Sequence, residues 1–92
     1  MRILQVCCDE DCELHIWTRH RVTFREAEEA AYNHGLAVRG RNEGVYEVFG
    51  RTDAGRYLML AVRRLMGGRV RLITAHDMSL TERRRYSRYT AH

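Results

Sequence analysis

Residues 56–86 read "RYLMLAVRRLMGGRVRLITAHDMSLTERRRY", and this stretch decides the fold. "YLMLAV" is apolar at every position, the pattern of a central strand buried on both faces. "MGGR" then breaks the run with two adjacent glycines, a hairpin signal. "RVRLIT" alternates: Val70, Leu72 and Thr74 face one way, Arg69 and Arg71 mostly the other. After Met78 the period lengthens to that of a helix. Ser79 and Glu82 have capping-box spacing, with the hydroxyl and the carboxylate each reaching the other's backbone amide. The helix they open carries Arg83, Arg84, Arg85 and Arg88 but a single aliphatic residue, Leu80. With so little apolar surface it lies across the sheet or hangs from it, with its arginines in water.

Upstream of this stretch, "LAVRG" and "VYEVFGR" are two further β-rich runs, and "TDAG" (52–55) is a second hairpin turn. The breaks between runs are short, so the pairing is antiparallel; a parallel crossover needs about a dozen residues or more. Before the strands, Thr23 and Glu26 form another capping box, Val22 and Ala27 occupy the staple positions, and Phe24, Ala27, Ala30 and Ala31 make an apolar stripe. Gly35 is the expected C-terminal cap of that helix. The acidic "DEDCE" suits the start of an earlier helix that ends near His20, and "ILQVCC" (3–8) reads as a short strand. The fold class is therefore α+β: a short N-terminal strand and helices, an antiparallel sheet of about four strands, and a basic C-terminal helix. With no proline, linker or low-complexity run, residues 1–92 are expected to form one domain.

All 16 basic residues are arginine, and the net charge is +4. Guanidinium forks grip phosphates and carboxylates in bidentate fashion, so nucleic acid or an acidic protein is the expected partner class, against a plain solvated surface. No apolar run approaches the ~20 residues of a membrane span, and the N-terminus does not read as a signal peptide; the cytoplasm is the expected compartment. The three cysteines, Cys7, Cys8 and Cys12, are too few and too close for a disulfide framework. Cys8, Cys12 and His15 lack the second ligand pair of a structural zinc site, so no metal or cofactor is expected. A buried strand position is the ordinary use of Cys7 or Cys8.

"RHRVTFREAEEA", "EVFGRTDAGRYLMLAV" and "RVRLITAHDMSLTERRRY" together resemble the BrnT family, RelE-like toxins of type II toxin–antitoxin modules. The resemblance spans most of residues 14–89. It implies a RelE-like fold, an endoribonuclease that blocks translation, and a cognate antitoxin that neutralises it. The positions it carries over are His20, Glu26, Arg56, Glu82 and Tyr86. Two positions depart from the family pattern. Arg21 stands where Gly follows the His, and His76 stands where Arg follows Ala75.

Metal-independent RNA cleavage needs a base for the 2′-hydroxyl, cations for the phosphorane-like transition state, and an acid for the leaving 5′-oxygen. On this reading His76, Arg56, Tyr86 and Glu82 are the candidate catalytic residues. His76 would transfer protons, Arg56 would bind phosphate, and Glu82 would orient its neighbours. The structural alternatives are His76 capping Asp77 or packing on the sheet edge, Arg56 in a salt bridge to a nearby carboxylate such as Asp53, and Tyr86 as packing. Arg71, Arg83, Arg84 and Arg88 are the candidate RNA contacts, while His20 and Glu26 support the site. The expected partners are RNA and the antitoxin, in a homo-oligomer or a toxin–antitoxin hetero-oligomer. The competing reading is a non-catalytic module of the same fold that binds nucleic acid or protein.

Overall fold

The computed structural model describes residues 1–91. The element order is β1 (Gln5–Cys7), α1 (Glu10–His20), α2 (Phe24–Tyr32), β2 (His34–Arg39), β3 (Val45–Arg51), β4 (Tyr57–Arg64), a single 3-10 turn (Met66–Gly68), β5 (Arg69–Asp77) and α3 (Leu80–Thr90). The strands form one sheet of five in the order β1-β5-β4-β3-β2. β2 to β5 are an antiparallel meander, as the short breaks require, and β4 is central. β1 adds a fifth strand in the parallel sense, pairing Gln5–Cys7 with Arg69–Arg71. The two helices between β1 and β2 supply the long connection that this parallel pairing needs.

One sheet face carries Val48, Leu58, Leu60, Val62, Val70, Leu72 and Ala75, all essentially out of water and packed against Ile16, Val22, Ala27, Ala30 and Ala31. The apolar stripe of α2 thus docks as its spacing predicts. Small residues let it come very close: a Cβ at Gly50 would collide with the Ala30 carbonyl, so β3 needs glycine there. Gly35 is not the cap of α2, contrary to expectation. The helix ends at Asn33, and Gly35 lies inside β2, where Tyr86 and Thr90 of α3 press on it. The opposite face holds a second cluster of Leu36, Phe49, Met59 and Tyr86. α3 packs on β2, and Tyr86 is its only buried residue; Leu80 is exposed. On the β4–β5 side of that face Met59 is still buried, while Ala61, Thr74 and His76 are half-exposed.

Both capping boxes form, at Thr23–Glu26 and Ser79–Glu82. α1 is capped by Asp9 and ends at Arg21, whose backbone is left-handed at φ 53°. Its amide donates to the Ile16 and Trp17 carbonyls, a C-terminal cap that ordinarily takes glycine. This explains why glycine belongs at the position where Arg21 departs from the family pattern. A left-handed residue with a Cβ costs roughly 1–2 kcal/mol. Arg21 recovers part of it by stacking over Trp17 at 5.3 Å. Arg21→Gly is accordingly expected to raise stability by about 0.5–1 kcal/mol. Urea unfolding checks this, and a loss of stability would show that the stacking outweighs the strain.

Candidate functional site

β1 is short, so β5 beyond Arg71 has no strand neighbour on that side. α1 closes the gap instead. The Cys12 thiol donates to the Leu72 carbonyl at 3.2 Å, and His15 Nε2 meets the Thr74 hydroxyl at 3.3 Å. The register of β5 against β4 shifts at Ala61/Val62, because Ile73 is an extra residue with no opposite number. Beyond this bulge Thr74 faces Ala61 and His76 faces Met59, all on the sheet face opposite α1 and α2.

Here three imidazoles lie in a row. His20, at the end of α1, is 5.8 Å from His15 and 5.6 Å from His76, centroid to centroid. His76 Nδ1 sits 2.7 Å from the Asp77 carbonyl. A carbonyl only accepts, so Nδ1 carries the hydrogen, and Nε2 is the atom left to exchange a proton. Desolvation, then the neighbouring His76, His15 and Arg19, push the His20 pKa below its ordinary value. The downward shift favours the neutral form of His20, which leaves a lone pair available.

Arg56 binds the site together from below. Its Nε and Nη2 donate to the two Asp77 carboxylate oxygens at 2.7 and 3.0 Å. Nη1 reaches both Glu26 oxygens at 3.2 Å and the Arg21 carbonyl at 2.8 Å. Nη2 also donates to the His20 carbonyl at 3.2 Å. The five N–H donors of a guanidinium are thereby all engaged. The salt-bridge alternative is realised, with Asp77 and Glu26 as the carboxylates rather than Asp53, which accepts from Asn33 and donates its own amide to Glu29. Asp77 raises the Arg56 pKa above its usual range, and Arg56 holds the Asp77 carboxyl below its own. Burial works against ionisation of Glu26, but the Thr23 amide and Arg56 outweigh it and leave its pKa lowered.

The other sequence candidates are spread more widely. Glu82 accepts from the Ser79 amide at 2.8 Å as part of the α3 cap. Tyr86 is buried edge-on against Tyr57, 5.9 Å between centroids, and burial raises its pKa. Arg71 is exposed, directly across from Arg63. Arg84 and Arg88 are exposed on α3, and Arg83 stacks over Tyr57 at 4.0 Å. Arg51 also lies over Tyr57, at 4.5 Å. His15, Asp77 and Tyr57 were not singled out for this site in the sequence. An apolar or basic residue repeats with the period of its element, whereas lone histidines from two distant segments leave no such pattern. Among the described residues no group of three or more His, Cys, Asp or Glu side chains is placed to hold a metal ion, and no helix is long and apolar enough to cross a membrane.

With this geometry in view, the fold can be set beside known proteins. No protein-family model and no curated protein matches the sequence. The fold matches the crystal structure of the Brucella abortus ribonuclease toxin BrnT with a TM-score of 0.63, over 83% of this chain and 97% of that one, at 10% identity. The chain has a BrnT-like fold. At that identity the likeness speaks for the fold alone.

The Arg56 cluster makes a prediction about acid. The folded-state pKa values of Asp77 and Glu26 are depressed. Their stabilisation is complete above the ordinary carboxylate values near pH 4 and lost as pH falls through the lower folded values. Thermal unfolding followed against pH should show this acid limb, and Arg56→Gln should flatten it. An identical limb in Arg56→Gln would remove Arg56 as its cause.

Proposed function

We propose that this protein is a ribonuclease toxin of a type II toxin–antitoxin module, acting in the cytoplasm, cleaving RNA to inhibit translation and neutralised by a cognate antitoxin. The observation that carries the reading is the row of three solvent-accessible imidazoles at the end of β5, in a fold like that of a ribonuclease toxin. The sequence resemblance to the BrnT family supports it from the other side.

On this reading His20 and His76 divide the proton work. Neutral His20 takes the proton of the ribose 2′-hydroxyl, and the freed oxygen attacks the adjacent phosphorus. Protonated His76 gives its Nε2 proton to the departing 5′-oxygen. The products are a 2′,3′-cyclic phosphate and a 5′-hydroxyl end. Arg71 and the α3 arginines Arg83, Arg84 and Arg88 supply positive charge along the approach, and bulged β5 presents it beside the histidines. Arg56 is a positioning residue: it holds the His20 carbonyl and the Asp77 carboxylate, so it sets the spacing of the two rings. Glu26 anchors that arginine, Glu82 fixes the start of α3, and Tyr86 seats α3 on the sheet. The arrangement calls on no cofactor.

Purified protein incubated with end-labelled RNA tests this. His76→Ala should lower cleavage about 100-fold or more while leaving the circular dichroism spectrum intact, the usual weight of a general acid. His76→Arg keeps the charge but stays protonated at any accessible pH. It should be as inactive as His76→Ala if His76 transfers a proton, and active if only charge is needed. A folded His76→Ala that cleaves RNA like the parent would sink the assignment. RNA binding without cleavage in the parent would instead favour the non-catalytic module.

The arginines make a separate prediction. RNA affinity should fall steeply with salt, because each phosphate contact releases counterions. Arg84→Gln with Arg88→Gln should reduce the slope by about one to two contacts' worth in a titration by fluorescence anisotropy. An unchanged slope would take α3 out of the RNA path.

A further inference from the structure

A basic groove lies far from the histidines, at the other end of the sheet. Beyond the reach of α1 and α2 the helix-bearing face is open, and Val70 and Leu4 form its floor beside the Tyr46 ring. Arg2, Arg39, Arg64 and Arg69 stand around it, and Glu43 is the one acid on its lining. Arg64 and Arg39 converge on the Tyr46 hydroxyl and hold its pKa below the usual phenol value. The turn at its edge offers Met66 at 85% exposure, and Leu4 is 58% exposed. An apolar floor inside an arginine rim has the anatomy of a protein-binding surface, and Arg, Tyr and Met are the residue types such surfaces favour.

The same chain carries the complementary surface. α1 is held on β5 by its inner side, through Cys12 and Ile16. Its outer side shows Glu10, Glu13, Leu14 and Trp17, at the i, i+3, i+4, i+7 spacing of one helical stripe. Leu14 and Trp17 are 65% and 47% exposed, and Asp9 and Asp11 add negative charge at the same end. Thus one surface is apolar with a basic rim, and the other is apolar with acid at its Glu10–Glu13 end and Arg21 stacked on the Trp17 ring at the other. RNA does not suit the groove as well: it has one aromatic ring for stacking, already tied to two arginines, and its exposed Met66 and Leu4 have no use for phosphate.

We propose that the groove takes helix α1 of a second copy of this chain, with Leu14 and Trp17 on the apolar floor and Glu10 and Glu13 against Arg39 and Arg64. The contact joins two different surfaces. Reciprocal pairing closes it into a dimer, and one-way pairing extends it into a chain. This inference stands apart from the ribonuclease reading, since no residue of the histidine row takes part.

Sedimentation velocity at rising protein concentration and low salt tests it. The mass should climb above the 10.9 kDa of one chain and fall back as salt is added. Arg39→Glu with Arg64→Glu should weaken association about ten-fold or more, and so should Glu10→Arg with Glu13→Arg. Mixing those two variants should restore it, because each reversed surface then meets a reversed partner. All four side chains are exposed, so the fold should survive, and circular dichroism checks this. If a reversed variant melts early, glutamine at the same positions replaces it, with the weakening expected but no rescue on mixing. A chain that stays monomeric overturns the proposal. So does association indifferent to either pair, or a folded reversed mixture that fails to recover.

Discussion

Arg56 is the point on which this structure turns. It begins the central strand, yet its guanidinium faces the junction of α1 and α2 and the end of β5 at once. Two carboxylates and two backbone carbonyls converge on one planar cation. The cation cannot lose its charge, and it is pre-shaped for such partners. The chain reversal after His20, with left-handed Arg21, has its two carbonyls held here rather than left to water. The end of β5, with His76 beside Asp77, is held by the same group. The two halves of the candidate site are therefore positioned by a single residue that touches neither imidazole.

The second constraint is the shortness of β1. A three-residue strand pairs with the first part of β5 and then stops. The remaining edge would be open to any passing strand. α1 covers it, with a thiol and an imidazole serving the groups on that edge. The bulge at Ile73 then aims Thr74 and His76 to the face opposite α1 and α2. The histidine row follows from these two local irregularities, and a regular sheet would have no reason to assemble it.

These facts separate what the sequence displays from what it conceals. The meander of β2 to β5, both capping boxes and the stripe of α2 were legible because each is written within a dozen neighbouring residues. Glycine gave a mixed signal. Gly35 had the right spacing for a helix cap, but the space beneath Tyr86 and Thr90 is what demands it. The parallel partner of β1 was not legible, since the pairing joins residues more than sixty positions apart with no periodic cue. Separations of 21 to 56 residues hid the pairing of His20 with His76 and the partners of Arg56, where Asp53 was the near choice and Asp77 and Glu26 the true ones. His76 itself was visible as a histidine at a strand edge beside an arginine-rich helix, and the resemblance to the BrnT pattern, which has arginine there, added weight to it.

The parallel pairing of β1 also bears on how the protein is made. The first strand finds its only partner in the fifth, and helix α1 leans on residues that follow. Contacts of such large sequence separation form late, because loop closure must come first. On the ribosome, residues 5–20 wait until the segment around 69–77 has left the exit tunnel. His15 and His20 meet His76 only then. A chain cut short before β5 holds two of the three imidazoles and an Arg56 clamp without its Asp77 partner, so the site is completed with the last strand.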